Sequence, residues 1–271
     1  MNKTVVITGA GGVLCSIIAE DFAKRGDKVA LLDINENAVN EVAKAIVGKG
    51  YVAKGYKANV LDKDDLNKAY EKIKADFGTC DLLINGAGGN SPKATTTNEL
   101  HCEAVDGGTS FFDLDKAGVD FVFNLNFMGT FLVTQVFAKD MANNGKGNII
   151  NISSMNAFSP LTKIPAYSGA KAAISNFTQW LAVHFAKSGI RVNAIAPGFF
   201  VTNQNRTLLY NADGTLSKRS EKILRNTPME RFGEAEELLG TLEWLSDDTK
   251  SSFVTGIVVP IDGGFSAYSG V

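Results

Sequence analysis

A tyrosine and a lysine four residues apart, Tyr167 and Lys171, are a pair that can do acid–base chemistry. On a helix, this spacing puts both side chains on one face. A phenol with a pKa of about 10 transfers protons poorly at neutral pH, and a neighbouring ammonium favours the phenolate and lowers that pKa. Ser154 ends a run with the pattern of a buried strand, Asn148 to Ser154, shortly before the pair. A hydroxyl, a phenol and an amine together can polarise and protonate a carbonyl group.

A pair with this spacing is also common on solvated helix faces, so the interpretation depends on the elements that would position it. Short, continuously apolar runs such as Thr4–Thr8 and Lys28–Asp33 alternate with segments of helical periodicity. Strands of this kind are typical of a parallel sheet that helices cover on both faces. The alternation predicts an α/β fold without a domain boundary, and a long helix over 119–141.

Two stretches interrupt this alternation, near 89–118 and 199–228. The first is polar, rich in threonine and glycine, and longer than an ordinary connection in a compact domain. It follows the carboxyl end of a predicted strand, where ligands bind in open α/β sheets. Both stretches are therefore predicted to be substrate loops.

A glycine-rich turn lies between the first strand and the first helix and is followed, about 20 positions later, by Asp33. Glycines let the backbone approach a diphosphate, and the helix N-terminus supplies free N–H groups. A tight connection alone would also use glycines, and Asp33 could instead cap a helix. In this context a carboxylate binds the adenosine ribose and repels a 2′-phosphate, so NAD is favoured over NADP. The residues of this turn expected to contact the cofactor are Gly9, Gly11, Gly12, Val13 and Leu14.

Two further strand ends could face the same cofactor. Asn59 and Val60 end the third strand and could contact the adenine, while the backbone of Asn85, Gly86 and Ala87 could pass close to the dinucleotide. Each signal is weak alone, because asparagine and glycine are ordinary turn residues.

Composition excludes several classes of partner. The 271 residues are 45% apolar and 21% charged, with a net charge of −2, which gives no electrostatic case for binding nucleic acid or an anionic membrane. No apolar stretch approaches the length of a membrane span, and no signal-peptide pattern is present. Three cysteines without metal spacing fit a reducing cytoplasm and no metal site. A zinc site using His101 and Cys102 is the weaker alternative, because adjacent residues chelate poorly.

Taken together, the motifs resemble the classical branch of the short-chain dehydrogenase/reductase family along nearly the whole chain. The resemblance implies a single Rossmann-like domain over 1–271 with about seven parallel strands, usually in homodimers or homotetramers. The matching motifs are the glycine-rich turn, Asp33, Asn85–Gly88, Asn126, Ser154, Tyr167 with Lys171, Pro197 with Gly198 and Thr202, and Asp262–Gly264.

The resemblance also implies roles for single residues. Ser154 polarises the carbonyl, Tyr167 exchanges the proton, and Lys171 lowers the tyrosine pKa and binds the nicotinamide ribose. Asn126 holds a proton-relay water, although an asparagine that bonds its own helix is the alternative, and Asn124 competes for the assignment. Pro197, Gly198 and Thr202 would lie against the nicotinamide and diphosphate, with a loop cap as the alternative for Thr202.

The chain departs from the family pattern at two places. Val13 and Cys15 stand at the second and third glycine positions of the turn, which puts the geometry around the diphosphate in question. Gly86 replaces a common second asparagine in the segment that follows the fourth strand.

Three segments resemble more narrowly the D-mannonate oxidoreductase (fructuronate reductase) branch. They are Gly11–Cys15, Gly88–Thr95 and Pro197–Arg206. That branch reduces the keto group of D-fructuronate with NADH. A uronate needs a cation for its carboxylate and polar groups for its hydroxyls. Asn90, Lys93, Asn156 and Arg206 are the candidates, although Arg206 could equally be a surface or interface arginine and Lys93 is better explained as solvated.

Two alternatives remain open at this point. A reductase of another sugar, polyol or 3-oxoacyl substrate would use the same catalytic residues. A non-catalytic sensor of the NADH/NAD ratio would bind the cofactor but would not need all four of Asn126, Ser154, Tyr167 and Lys171.

Overall fold

The computed structural model describes residues 2–101, 108–202 and 206–270, in which seven strands form one parallel sheet. The strand order is β3-β2-β1-β4-β5-β6-β7, and every neighbouring pair is parallel. The strands are β1 Thr4–Thr8, β2 Lys28–Asp33, β3 Ala53–Lys57, β4 Leu82–Asn85, β5 Gly147–Ile152, β6 Ile190–Pro197 and β7 Val258–Ile261. The predicted parallel sheet is confirmed.

Helices cover both faces of the sheet, as the continuously apolar strands predicted. They are α1 Val13–Lys24, α2 Glu36–Gly48, α3 Lys63–Phe77, α4 Lys116–Phe123, α5 Gly129–Asn143, α6 Pro165–His184, α7 Arg206–Leu209, α8 Lys218–Arg225 and α9 Leu239–Ser246. A π-helical segment, Asn124–Met128, joins α4 to α5.

Two apolar cores lie on opposite faces of the sheet because side chains alternate along each strand. In β1, Val5 and Ile7 pack in the core beneath α1, α2 and α9. Their neighbour Val6 packs in the other core, where α3, α5 and α6 supply Phe137 and other side chains. Burial on both faces explains why β1 shows no polar alternation in its sequence.

The strand order reverses direction next to β1, which lies between β2 and β4. The connections that leave β1 and β4 run to opposite faces of the sheet, so a crevice opens between them at the carboxyl edge. The glycine-rich turn and the segment after Asn85 meet at this crevice.

One helical run exceeds the length expected from the sequence. The run Lys116–Asn143 spans 28 residues and, by length and composition, could cross a membrane. Half of its most apolar stretch is nevertheless buried inside the protein. It is therefore a core helix of the fold. Its start lies before the predicted residue 119, because the Asp115 carboxylate accepts a hydrogen bond from the Ala117 N–H and caps α4 at Lys116.

The two predicted substrate loops contain short helical elements. The first holds the 3₁₀ turns Pro92–Ala94 and Phe111–Asp113, and the second holds α7 and α8. An ion pair between Glu99 of the first loop and Lys222 of α8 joins them.

Candidate active site

Ser154, Tyr167 and Lys171 converge at the carboxyl edge of β5. Ser154 lies two residues after the end of that strand, is buried, and forms a hydrogen bond with the Tyr167 side chain. Tyr167 and Lys171 lie in α6, where the Lys171 Nζ is 5.6 Å from the centre of the tyrosine ring. The Lys171 ammonium also donates to the Ile152 carbonyl at 2.8 Å, which leaves two N–H groups for ligands. The sequence predicted this cluster from local spacing and strand position.

Burial controls the protonation of the pair. It raises the pKa of Tyr167, and the hydrogen bond from Ser154 opposes that shift in part. Burial lowers the pKa of Lys171 to about 8. The spacing had predicted a lowered pKa for the phenol. The direction found is the opposite one, because desolvation of the buried phenolate outweighs the hydrogen bond from Ser154.

Asn126 is fully buried in the π-helical segment, whereas its competitor Asn124 is exposed. The Asn126 amide donates to the Gly89 carbonyl at 2.7 Å and to the carbonyl four residues earlier in its own helix at 2.8 Å. Its Oδ1 accepts from the Gly89 N–H at 3.2 Å. A Cβ at Gly88 would lie 2.6 Å from this Oδ1 and 3.3 Å from the Lys171 Nζ, so the asparagine and lysine meet at that glycine. Asn126 thus bonds its own helix and also holds the loop after β4.

The glycine-rich turn packs against the loop after β4 and leads into the start of α1. Gly9 has φ +67°, and a Cβ there would lie 2.9 Å from the Ala87 Cα, so the turn and the β4 loop are in close backbone contact. Gly12 caps α1 without any side-chain hydrogen bond to the first N–H groups of the helix. Those groups, at Val13 and Leu14, are available to an anion.

Thr8 fixes the turn against the loop after β4, a role that the sequence argument did not assign. Its Oγ1 accepts hydrogen bonds from the N–H groups of Gly86 and Ala87, both at 3.1 Å. The sequence feature that could have identified Thr8 is a hydroxyl residue directly before the first glycine of the turn.

The two departures from the family pattern contact each other. A Cβ at Gly86 would lie 2.3 Å from the Cys15 Sγ, so the sulfur occupies the space that any side chain at Gly86 would need. Burial raises the pKa of the Cys15 thiol to about 12, which makes it a neutral packing group. The unusual cysteine and the unusual glycine therefore fit together.

Asp33 ends β2 beside the turn. One carboxylate oxygen accepts from the Gly11 N–H and the other from the Asn35 N–H, both at 2.9 Å. Each oxygen keeps capacity for a ribose hydroxyl. Nearby, the Asn59 Oδ1 accepts from the Leu61 N–H at 3.0 Å and shapes the turn that carries Val60.

Asn85 has its side chain in the protein interior. Its amide donates to the Asn151 Oδ1 at 2.8 Å and to the Thr134 Oγ1 at 3.1 Å. Only its backbone can face a cofactor. Pro197 ends β6, and Gly198 approaches β7 so closely that a Cβ would lie 2.6 Å from the Asp262 Cα.

Asn156 is the candidate substrate residue that lies beside the catalytic serine. It is 6% exposed, and its N–H donates to the Ser154 Oγ at 3.3 Å. Its Oδ1 is buried without a hydrogen-bond partner among the residues that the structure describes.

The other three candidates make local contacts. Asn90 donates to a neighbouring threonine hydroxyl at 3.1 Å. Lys93 is 72% exposed in its side chain and lies 3.7 Å from an Asp115 oxygen. Arg206 stacks over the Tyr210 ring at 5.2 Å. None of these three contacts involves Ser154.

Some candidates fall outside the described residues, namely Cys102 and the polar run 203–205. Among the residues within 2–101, 108–202 and 206–270, no cluster of three or more histidine, cysteine or acidic side chains could hold a metal ion.

Similarity to known proteins agrees with this geometry. The family model described as short chain dehydrogenase matches residues 3–212. An oxidoreductase of Haemophilus influenzae is 62% identical over 271 residues, covering 100% of this chain and 95% of that protein. The oxidoreductase UxuB of Bacillus subtilis is 56% identical over 270 residues, covering 100% and 97% respectively. A solved structure with bound NAD, of a Haemophilus influenza protein provisionally named D-mannonate oxidoreductase, has a TM-score of 0.96 and 62% identity, covering 100% of this chain and 97% of that one. The chain is an oxidoreductase and belongs to the short-chain dehydrogenase family.

Proposed function

We propose that this NAD-dependent oxidoreductase interconverts a keto sugar acid and its hydroxy acid, with D-fructuronate and D-mannonate as the pair. The observation that carries a hydroxyl-bearing substrate is the Asn156 Oδ1, which is buried beside Ser154 and has no hydrogen-bond partner within the described part of the chain. A buried acceptor of this kind is costly unless a ligand hydroxyl satisfies it. The name of the 62% identical protein supports the particular sugar acid.

NAD fits the residues of the cofactor crevice. The uncapped start of α1 suits the diphosphate, and Asp33 suits an unphosphorylated ribose because a 2′-phosphate beside that carboxylate would be repelled. A Cβ at Gly9 would meet the Ala87 backbone and one at Gly11 would meet the Asp33 carboxylate, so the turn beside the crevice is packed too closely for side chains at these two positions.

In the proposed mechanism, Ser154 and Tyr167 hydrogen-bond the carbonyl oxygen and stabilise the charge that develops on it. NAD(H) held in the crevice would supply the hydride for the reduction and would accept it in the reverse direction. Tyr167 gives its proton to the oxygen, and Lys171 holds a positive charge behind the phenolate that this leaves. We assign to Asn126 the positioning of the loop after β4 beside Lys171. A water between this loop and Lys171 would pass the next proton toward Tyr167.

The test is NADH oxidation by the purified protein with D-fructuronate, compared with D-fructose as the matched ketose without a carboxylate. We expect turnover of the uronate and a kcat/KM for fructose lower by a factor of about 100 or more, since the carboxylate needs a charged partner. Equal rates with both would refute the sugar-acid assignment and favour the reductase of another sugar or polyol.

The variant Tyr167→Phe separates the enzyme from a cofactor sensor. We expect this variant to lose a factor of about 100 to 10,000 in kcat while it binds NADH as the wild type does. Full turnover in Tyr167→Phe would refute the acid–base assignment. Wild-type NADH binding without turnover of any carbonyl in a broad panel would instead support the sensor.

We also propose that the chain is one catalytic domain over 1–271, located in the cytoplasm, and that it assembles through α5 and α6 into a homodimer or homotetramer. A row of aromatic rings runs from the π-helical segment across α5 to α6, namely Phe127, Phe131, Phe177 and Trp180. Trp180 and Val183 of α6 are 56% and 81% exposed. Exposed apolar patches of this kind are typical of interfaces. We expect light scattering to give an oligomer for the wild type and a smaller species for Val183→Asp. A monomeric wild type would contradict the assembly.

A further inference from the structure

A cavity of about 190 Å³ lies between the start of α1, the end of β6 and the α7–α8 segment. Leu14, Gly198 and Thr202 line it, and all three belong to the set predicted to bind the cofactor. Arg219 of α8 lines the same cavity and belongs to no motif. Ser154, Tyr167 and Asn156 do not line it, so the cavity belongs to the cofactor side of the site.

Arg219 is a cation without a carboxylate partner among the described residues. Arg25 and Arg191 pair with Asp21 and Asp248. Arg206 and Arg225 also have no carboxylate partner among the described residues, but they do not line this cavity. An arginine that lines a cavity without such a partner is available to an anionic ligand, and its planar guanidinium fits the paired oxygens of a phosphate.

The packing of α8 directs Arg219 toward this cavity. Ser220 is fully buried, and its Oγ donates to the Leu209 carbonyl at 2.6 Å, which fixes α8 against α7. Ile223 is buried in the small core that the two helices share. Lys222, one turn after Arg219, pairs with Glu99. The position of the helix is therefore determined by contacts that do not involve Arg219.

We propose that Arg219 binds the diphosphate of the dinucleotide, which makes the second substrate loop part of the cofactor site. The start of α1 offers a diphosphate the partial positive charge of the helix and N–H groups. A guanidinium across the cavity adds a full charge and two donors. The proposal rests on NAD binding and is independent of which carbonyl compound is reduced.

The experiment measures the affinities of NADH, ADP and AMP without substrate, by calorimetry, for the wild type, Arg219→Ala, Arg219→Lys and the control Arg225→Ala. Arg225 is exposed at the other end of α8 and does not line the cavity. We expect Arg219→Ala to weaken NADH and ADP about tenfold, the effect of one charge-assisted hydrogen bond near solvent, and to leave AMP almost unchanged. Arg219→Lys should recover part of the loss, and Arg225→Ala should bind all three ligands as the wild type does.

Three results would overturn the proposal. Equal losses for ADP and AMP would show that the diphosphate is not the partner. Equal losses in Arg219→Ala and Arg225→Ala would show a general charge effect. An unchanged affinity for NADH, combined with a raised KM for the keto acid, would assign Arg219 to the substrate carboxylate. Because the binding measurements contain no substrate, failure of the sugar-acid assignment would leave their outcome unaffected.

Discussion

The contact between Cys15 and Gly86 predicts a strong coupling between two substitutions. A methyl group at Gly86 would place its carbon 2.3 Å from the Cys15 Sγ and 2.8 Å from the Thr8 carbonyl oxygen. Ordinary contacts between such atoms are about 3.5 Å or longer, so both distances are far inside van der Waals contact. Gly86→Ala must therefore displace the sulfur, the backbone of the glycine-rich turn, or both.

The contact with the Cys15 side chain can be removed by a second substitution, whereas the contact with the Thr8 carbonyl oxygen involves the backbone and cannot. Overpacking of this kind costs about 1 to 3 kcal/mol, and Gly86→Ala in the wild type should lie near the upper end. Cys15→Ala alone should cost about 1 kcal/mol, because one buried atom is lost. In the double variant the sulfur clash is gone and only the approach to the Thr8 carbonyl remains. The coupling free energy should then be about 1 to 2 kcal/mol in favour of the double variant.

The assay is urea denaturation of the four proteins of the cycle, with the NADH dissociation constant measured on the same samples. Gly86→Ala should weaken NADH binding because it moves the turn, and Cys15→Ala should restore part of that affinity. The matched control is Gly48→Ala, since a Cβ there meets nothing within 4 Å. Additive free energies within about 0.5 kcal/mol would refute the reasoning, because they would mean that the two residues do not share the space.

Two further predictions follow from charges in the site. The wild type should gain stability relative to Lys171→Met as the pH rises from about 8 toward 10, by about 1 to 3 kcal/mol. Burial lowers the pKa of Lys171 to about 8 in the folded protein, whereas the pKa in the unfolded chain is about 10.4. Between these two values the unfolded chain holds a proton that the folded protein has released, so the free energy of unfolding rises with pH. A stability difference that stays constant with pH in urea denaturation would contradict this. Lys222→Ala should change the free energy of unfolding by less than about 1 kcal/mol, because its pair with Glu99 is exposed, yet it should raise the KM of the keto acid, since that pair joins the two substrate loops. A KM equal to that of the control Lys218→Ala would show that the pair does not hold the loops.

Local sequence determined the elements that carry the chemistry. Tyr167 and Lys171 share a helix face because four residues are about one turn, and Ser154 follows a strand that its apolar run already identified. The alternation of strands and helices likewise predicted the parallel sheet, and the glycines before α1 predicted the crevice.

Side-chain direction and long-range contacts required the tertiary structure. The side chain of Asn85 enters the interior because its bonds to Thr134 and Asn151 come from distant segments. The raised pKa of Tyr167 follows from burial, which spacing along one helix does not report.

The arginines near the site show the same division between sequence and structure. Motif order pointed to Arg206, whereas the fold placed that residue over Tyr210 and brought Arg219 to the cavity beside Leu14. Cys15 and Gly86, separately unusual in sequence, became one packing contact. Helical spacing and strand patterns depend on neighbours within a few residues, so the sequence alone determined them. Which side chains share a space depends on segments far apart in the chain, and only the packing of the folded sheet and its helices decided that.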